Sequence, residues 1–178
     1  MLDVDVLVLG GGLAGLSLAE RLAGERVAGP RVVVVEPRTE YRDDRTWCAW
    51  RVAPHRYEGL VERSWSRFEV RHGGRSVTVA CPDAPYQMIA SRAFYGRAQD
   101  ALEPSDRVRL ELGRSAVGAP VRGDHGWTVS LDDGRAVRAR HVVDTRPPPA
   151  PPASILCSRS SGTSSRSTPR SSTQRRRS

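Results

Sequence analysis

The chain contains no lysine: all 28 of its basic residues are arginine. Against 20 acidic residues this gives a formal charge of +8, unevenly spread. Residues 147–178 hold six Arg and no acid, which leaves 22 Arg against all 20 acids in residues 1–146, a nearly neutral body. A nucleic-acid-binding domain builds a basic face into its fold, and this distribution argues against one. Cysteine is scarce as well. Cys48, Cys81 and Cys157 form an odd, widely spaced set with no C-x-x-C. They indicate neither a disulfide framework nor a zinc site, and they suit a reducing cytoplasm. His55, His72, His125 and His141 stand at no ligand spacing, so no metal is expected. Long apolar runs are missing too. The longest, Leu7–Ala19, has 13 residues and four glycines, too few and too Gly-rich to span a bilayer. Asp3 and Asp5 precede it where a secretory signal would be basic. No internal repeat is visible, and 178 residues suffice for one ordinary domain.

What is present reads as an α/β chain. Residues 4–9 are short and β-branched, a buried strand stopped by glycine. Leu13, Leu16, Ala19, Leu22 and Ala23 recur at helical spacing, predicting a helix over 13–24. Four consecutive valines in residues 31–36 suit a parallel strand covered on both faces. Strand, helix and strand make one βαβ unit. Residues 37–63, crowded with charges and aromatics, show no clean period and read as a long ordered loop with at most a short helix. Residues 66–71 and 75–80 flank His72-Gly73-Gly74 as a hairpin. Residues 86–89 read as a strand, and Ser91 as the N-cap of a helix with Phe94, Ala98, Ala101 and Leu102 on one face. Residues 107–112 alternate as a strand, 127–131 and 135–138 flank a second turn, and 139–144 give a last short strand.

At Pro147 the composition changes. Residues 147–178 contain ten Ser, six Pro, six Arg and three Thr. So little apolar surface cannot offset the entropy of ordering, and the segment is expected to be a disordered tail. It is either a natural flexible tail or an out-of-frame translation of a GC-rich coding sequence. The second is preferred, because the change is abrupt and follows a strand.

The chemical signal is Gly10-Gly11-Gly12-Leu13-Ala14-Gly15, in which Gly10, Gly12 and Gly15 satisfy G-x-G-x-x-G. Gly10 permits the turn off the strand, Gly12 leaves the backbone open to a pyrophosphate, and Gly15 lets helix pack closely on strand. The helix then turns its free N–H groups and positive end to the phosphates. Glu36 lies 21 residues beyond Gly15, where a carboxylate can accept hydrogen bonds from ribose hydroxyls. An acid there favours FAD or NAD over NADP, although the nearby Arg38 could meet a 2′-phosphate. Trp47 and Trp50 either line a flavin or polyene cavity or anchor the loop. Cys48 reads as a small buried hydrophobe rather than a nucleophile. Arg45 reads as a pyrophosphate contact or a solvated surface charge. Asp144 either faces the nucleotide or caps the following turn.

Asp5–Ala19 (DVLVLGGGLAGLSLA), Arg45–Trp50 (RTWCAW) and Tyr86–Tyr95 (YQMIASRAFY) together resemble the bacterial lycopene β-cyclase family. Ala139–Pro147 (ARHVVDTRP) is similar to that family's A-R-x-V-x-D-x-R-P strand, and the resemblance runs over residues 4–148. It implies the glutathione-reductase-like flavoprotein superfold: a Rossmann-type FAD-binding domain with a parallel sheet and inserted antiparallel hairpins, truncated, in residues 1–146. It also implies FAD as cofactor, NAD(P)H as reductant, and ring closure of linear lycopene ends without net redox change. The implied partners are lycopene and the cytoplasmic face of a membrane, with neither nucleic acid nor metal. The cofactor positions carried over are Gly10, Gly12, Leu13, Ala14, Gly15, Glu36, Arg45, Thr46 and Asp144. No segment of residues 149–178, which lack Asp and Glu, matches the family's acidic catalytic motif, so no catalytic acid is assigned. The expectation is an inactive N-terminal cyclase fragment that keeps the ADP half of a flavin site, with a sheet edge unpaired and apolar faces uncovered. Other FAD-dependent oxidoreductases or monooxygenases, and a non-catalytic nucleotide-binding fragment, are the competing readings.

Overall fold

Leu2–Leu9 (β1), Leu13–Ala23 (α1) and Val32–Glu36 (β2) form the first crossover. A computed structural model describes residues 1–24 and 29–147 of the chain. The remaining elements are Thr46–Trp50 (β3), Arg63–Trp65 (β4), Arg67–His72 (β5), Arg75–Ala80 (β6) and Tyr86–Ala90 (β7). Ser91–Leu102 (α2), Val108–Leu112 (β8), Ala116–Gly123 (β9), Gly126–Leu131 (β10) and Ala136–Asp144 (β11) follow. A single 3₁₀ turn occupies Glu58–Leu60.

The main sheet has the order β8-β2-β1-β11-β10-β9. The first four strands run parallel and the last three form an antiparallel meander. The valine run explains how this sheet is covered. Val32 and Val34 face the helices and pack with Leu16, Ala19, Phe94, Ala98 and Val108. Val33 and Val35 point the other way and pack with Leu7, Leu9, Val129, Leu131 and Val137. Because side chains alternate along a strand, one run of identical apolar residues supplies both layers. Leu7 and Leu9 of β1 and Val137 of β11, the strands between β2 and β10, belong to the same layer.

A second, three-stranded sheet has the order β3-β7-β4, and β5–β6 is a separate hairpin turned by Gly73 (φ 55°) and Gly74 (φ 77°). β7 runs directly into α2. The sheet therefore hangs from the helix layer, with Trp47 edge-on to Phe94 at 5.2 Å and to Tyr95 at 5.4 Å.

Four expectations are corrected. The segment read as a long loop contains β3, which finds its partner β7 some forty residues later. Ser91 is the first helical residue rather than the N-cap, which is Ala90. The Ser91 hydroxyl lies instead 3.2 Å from Asp43 Oδ1, and that carboxylate accepts from the Arg92 N–H, so the helix is capped across the chain. The two C-terminal strands are one, β11, because its pairing with β1 runs from Val137 to Asp144 while only Ala136–Ala139 also pair with β10. β4 and β9 had no counterpart in the sequence reading. Cys48 is exposed, since its neighbour Trp47 takes the inward position on an edge strand. Among the described residues, β8 and β9 each pair on one side only, and Val117 and Val121 of β9 are exposed. The tail expected over 147–178 lies outside the described residues apart from Pro147.

Phe94 is 1% exposed and touches Trp47, Tyr57 and Tyr95. Phe94→Ala is expected to lower the unfolding free energy by about 3–5 kcal/mol. Urea titration of the variant against the wild type checks it.

Candidate functional site

The turn between β1 and α1 is crowded on three sides. Gly10 has φ 100°, a conformation that glycine adopts without strain. A Cβ on Gly15 would sit inside the Gly10 carbonyl oxygen, and one on Gly11 would strike the Tyr41 hydroxyl and Glu36 Cβ. A Cβ on Gly12 would meet nothing within 4 Å. Gly12 also has an ordinary extended backbone (φ −81°, ψ −166°). Neither the packing of this chain nor its conformation asks for glycine there. Gly12 is the N-cap of α1, no side chain caps it, and no acid stands in the first turn. The first-turn N–H groups and the positive end of the helix thus get no counter-charge from α1 itself.

Glu36 ends β2 as a buried carboxylate, 4% exposed. Its Oε2 accepts the Gly11 N–H at 2.6 Å, and its Oε1 accepts the Arg38 N–H at 3.0 Å and Arg38 Nε at 2.9 Å. A carboxylate offers about four acceptor sites, so one on Oε2 is left. Arg38 also donates to the Tyr95 hydroxyl at 2.6 Å and lies 3.6 Å from Asp44. Burial opposes its charge, but the bonds to Tyr95 and Glu36 prevail and raise its pKa. Its guanidinium is thereby committed inside the protein rather than turned to a 2′-phosphate. Tyr41 stacks on Tyr95 at 4.2 Å and donates to the Gly11 carbonyl at 2.8 Å.

β11 closes the other side. Asp144 lies opposite Leu9, and its carboxylate takes the Arg146 backbone and guanidinium. That ion pair holds its carboxyl below the ordinary value. Thr145 Oγ1 lies 3.0 Å from both the Leu9 and Gly10 carbonyls, pinning the turn. Gly10, Gly12, Leu13, Ala14, Gly15, Glu36 and Asp144 therefore gather at one corner of the sheet. Arg45 and Thr46 belong to the neighbouring β3 segment. The Arg45 side chain is exposed and reaches Asp44, while Thr46 is exposed and pairs with Ala90. Sequence reasoning missed Tyr41 and Thr145. Thr145 was within reach, since it sits inside the conspicuous Asp-Thr-Arg-Pro stretch; Tyr41 carried no such signal.

A second feature adjoins this corner. A cavity of about 390 Å³ lies between α1 and the β3–β7 sheet, walled by Leu13, Trp47, Trp50 and Ile89. At its side, the buried Glu20 carboxylate meets Arg56 at 2.9 Å and Arg97 at 3.0 Å, and the Tyr57 hydroxyl lies 3.1 Å away. Among the described residues no group of His, Cys, Asp or Glu could hold a metal ion. No helix there is long and apolar enough to cross a membrane.

Residues 5–166 match the family model described as Lycopene cyclase protein. No curated protein matches the chain. Among solved structures, a probable FAD-dependent monooxygenase from Pseudomonas aeruginosa, PqsL, superposes with TM-score 0.61 at 22% identity, over 79% of this chain and 41% of its own. The p-nitrophenol 4-monooxygenase PnpA from Pseudomonas putida gives 0.64 at 21% identity, over 82% and 41%. NikD, an unusual amino acid oxidase essential for nikkomycin biosynthesis, gives 0.59 at 17% identity, over 82% and 51%. These likenesses establish the fold as a Rossmann-like FAD-domain type. The chain spans about two fifths of the length of the first two.

Burial, and then the charge of Glu36, lift the Tyr41 phenol well above its ordinary 10.0. The folded protein holds that proton more tightly than the unfolded chain. Its contribution is complete below about pH 10 and is lost as pH climbs through the raised value. With no lysine in the chain, no side-chain amine titrates in that window. Wild type should therefore lose stability more steeply than Tyr41→Phe between about pH 10 and 12, read from urea midpoints. Equal slopes would mean that the phenol is solvated.

Proposed function

The chain belongs to the lycopene cyclase protein family, and on that footing we propose that it holds FAD at the β1–α1 turn and serves ring closure of linear polyene ends. Gly12 carries the proposal. Gly10, Gly11 and Gly15 are each accounted for by the chain's own backbone or packing, whereas Gly12 is bare on the side where a diphosphate would approach. A missing side chain that nothing internal requires fits a group supplied from outside.

In this reading the N–H groups at the start of α1 hold the diphosphate, and the last acceptor site of Glu36 takes a ribose hydroxyl. Arg38 holds that carboxylate through Oε1 alone, which leaves Oε2 as the atom for the sugar. Thr145 keeps the Gly10 carbonyl from rotating into the cradle. Bound and reduced, FAD supplies an electron-rich ring that stabilises positive charge electrostatically. NAD(P)H is the proposed reductant and a linear C40 polyene the proposed substrate. An acid protonates the terminal alkene, the neighbouring double bond attacks the resulting cation, and a proton leaves, so mass and redox state are unchanged. The source of the polyene makes the cytoplasmic face of a membrane the proposed location. A flavin monooxygenase reading rests on fold alone, and it differs in outcome by adding an oxygen atom to its product.

Aspartate is a good helix N-cap, so Gly12→Asp should keep or raise stability by about 0.3 kcal/mol. It should also weaken FAD binding, read from flavin fluorescence, by at least about tenfold through bulk and charge. Gly15→Ala should instead destabilise the fold by about 1–3 kcal/mol. FAD binding unaffected by Gly12→Asp would sink the proposed cradle. Incubation of the full chain with lycopene, FAD and NADPH addresses turnover. A cyclised isomer supports the cyclase reading, an oxygenated product supports the monooxygenase reading, and bound FAD without product leaves a nucleotide-binding module.

A further inference from the structure

We propose that the Tyr41 hydroxyl is a positioning group for the β1–α1 turn: it sets which way the Gly11–Gly12 peptide faces, and so whether the turn offers a diphosphate an N–H or a carbonyl oxygen. The inference rests on the reading that a diphosphate binds there, but the orientation of the peptide is observable without any ligand.

The peptide groups of the turn are held one by one. The Gly10 N–H donates to the Val35 carbonyl at 2.9 Å, and the Gly11 N–H donates to Glu36. Thr145 answers the Gly10 carbonyl, and the Leu16 N–H donates to the Gly12 carbonyl at 2.9 Å. These partners belong to β2, to the end of β11 and to α1. The Gly11 carbonyl alone depends on the segment after β2, where the Tyr41 hydroxyl donates to it at 2.8 Å. Among the described residues nothing accepts from the Gly12 N–H. That N–H and the Gly11 carbonyl belong to one peptide. No peptide bond of the described residues is cis, and in a planar trans peptide the N–H points opposite to the C=O. With its carbonyl turned to Tyr41, the peptide turns its free N–H away from Tyr41. That N–H counts among the unpaired donors at the start of α1.

Side-chain sterics do not fix this peptide. Both of its residues are glycine, which adopts either sign of φ at little cost, so its orientation rests on a hydrogen bond. The fit is built from both sides. A Cβ on Gly11 would strike the Tyr41 hydroxyl oxygen, so the glycine makes room for that oxygen in particular. The Tyr41 ring is placed independently of the turn. It stacks on Tyr95, 2% exposed, at 4.2 Å and 22°, and the Arg38 guanidinium lies 5.4 Å from the centroids of both rings. Filling that space asks for a ring alone; the hydroxyl serves Gly11. Burial, ahead of the Glu36 charge, keeps the phenol protonated and hence a donor. Turned over, the peptide would present a carbonyl oxygen to the diphosphate. The cradle would lose one donor and gain one repulsive partner.

The test uses the full chain carrying isotopically labelled glycine. The Gly11 and Gly12 amide NMR resonances are read without ligand, and FAD affinity is read separately from flavin fluorescence. Tyr41→Phe keeps the stacked ring and removes the donor. Without ligand it should broaden or split the Gly12 resonance more than that of Gly11, whose N–H stays on Glu36. It should also weaken FAD binding by about tenfold. Tyr57→Phe removes a phenol hydroxyl that meets Ser17 and Glu20 instead, and should change neither reading. An unchanged Gly12 resonance in Tyr41→Phe overturns the proposal, whatever happens to FAD binding. So does an equal response to Tyr57→Phe, or FAD affinity in Tyr41→Phe equal to that of a wild type that binds it; each leaves the flavin reading intact. A wild type that binds no FAD, with the Gly12 resonance still split by Tyr41→Phe, overturns the flavin reading and leaves Tyr41 as the group that orients the peptide.

Discussion

The bond from the Gly11 N–H to the buried Glu36 carboxylate ties the start of the crossover to its end. A carboxylate this buried is tolerable only when its charge is answered at close range, since desolvation costs several kcal/mol. Three donors answer it, all from short segments beside the turn. That requirement propagates. Arg38 must stay in place, and it does so by reaching Tyr95 on α2. Tyr95 in turn stacks on Tyr41, which holds the Gly11 carbonyl. A loop of three glycines, whose backbone has the most freedom to lose, is thus held by one charge and the aromatic residues beside it. Rigidity here matters chemically, because backbone donors bind an anion well only when they need no reorganisation.

The same device appears on the other side of α1. Glu20, 6% exposed, takes Arg56 and Arg97, and both guanidinium groups lie over the Tyr57 ring. One carboxylate so joins α1, the segment after β3 and α2. The absence of lysine bears on both sites. A planar guanidinium can hold a carboxylate edge-on while stacking on a phenol ring, and an ammonium group cannot do both. Arg38 uses one nitrogen on Glu36 and another on Tyr95, a division that needs a fork.

How much of this was legible in the sequence depended on how local the cause was. The βαβ unit reads directly, because Val32–Val35 and the Leu13–Ala23 spacing announce their own partners. The β5–β6 hairpin reads from Gly73-Gly74 for the same reason. β3 did not, because TWCAW has neither the alternation nor the flanking turn of a hairpin strand, and its partner β7 is remote in sequence. β9 was hidden by its own composition. Its AVGAPVRG carries two glycines and a proline, one of the glycines at φ 74°, and its pairing with β10 shifts register midway. At the site, residue identity revealed the glycines and Glu36, whose roles follow from chain direction alone. Tyr41 acquires its role only through stacking on Tyr95, a residue more than fifty positions away that no local pattern connects to it.

The glycine turn and the cavity share α1 and use it in opposite ways. Its first turn offers unpaired N–H groups and a positive end, features that reward a charged ligand and tolerate water. One face further along, Leu13 and Ser17 border the cavity, and the Ser17 hydroxyl is held by Tyr57 at 2.9 Å. One helix thus combines a polar end and an apolar flank within a few residues.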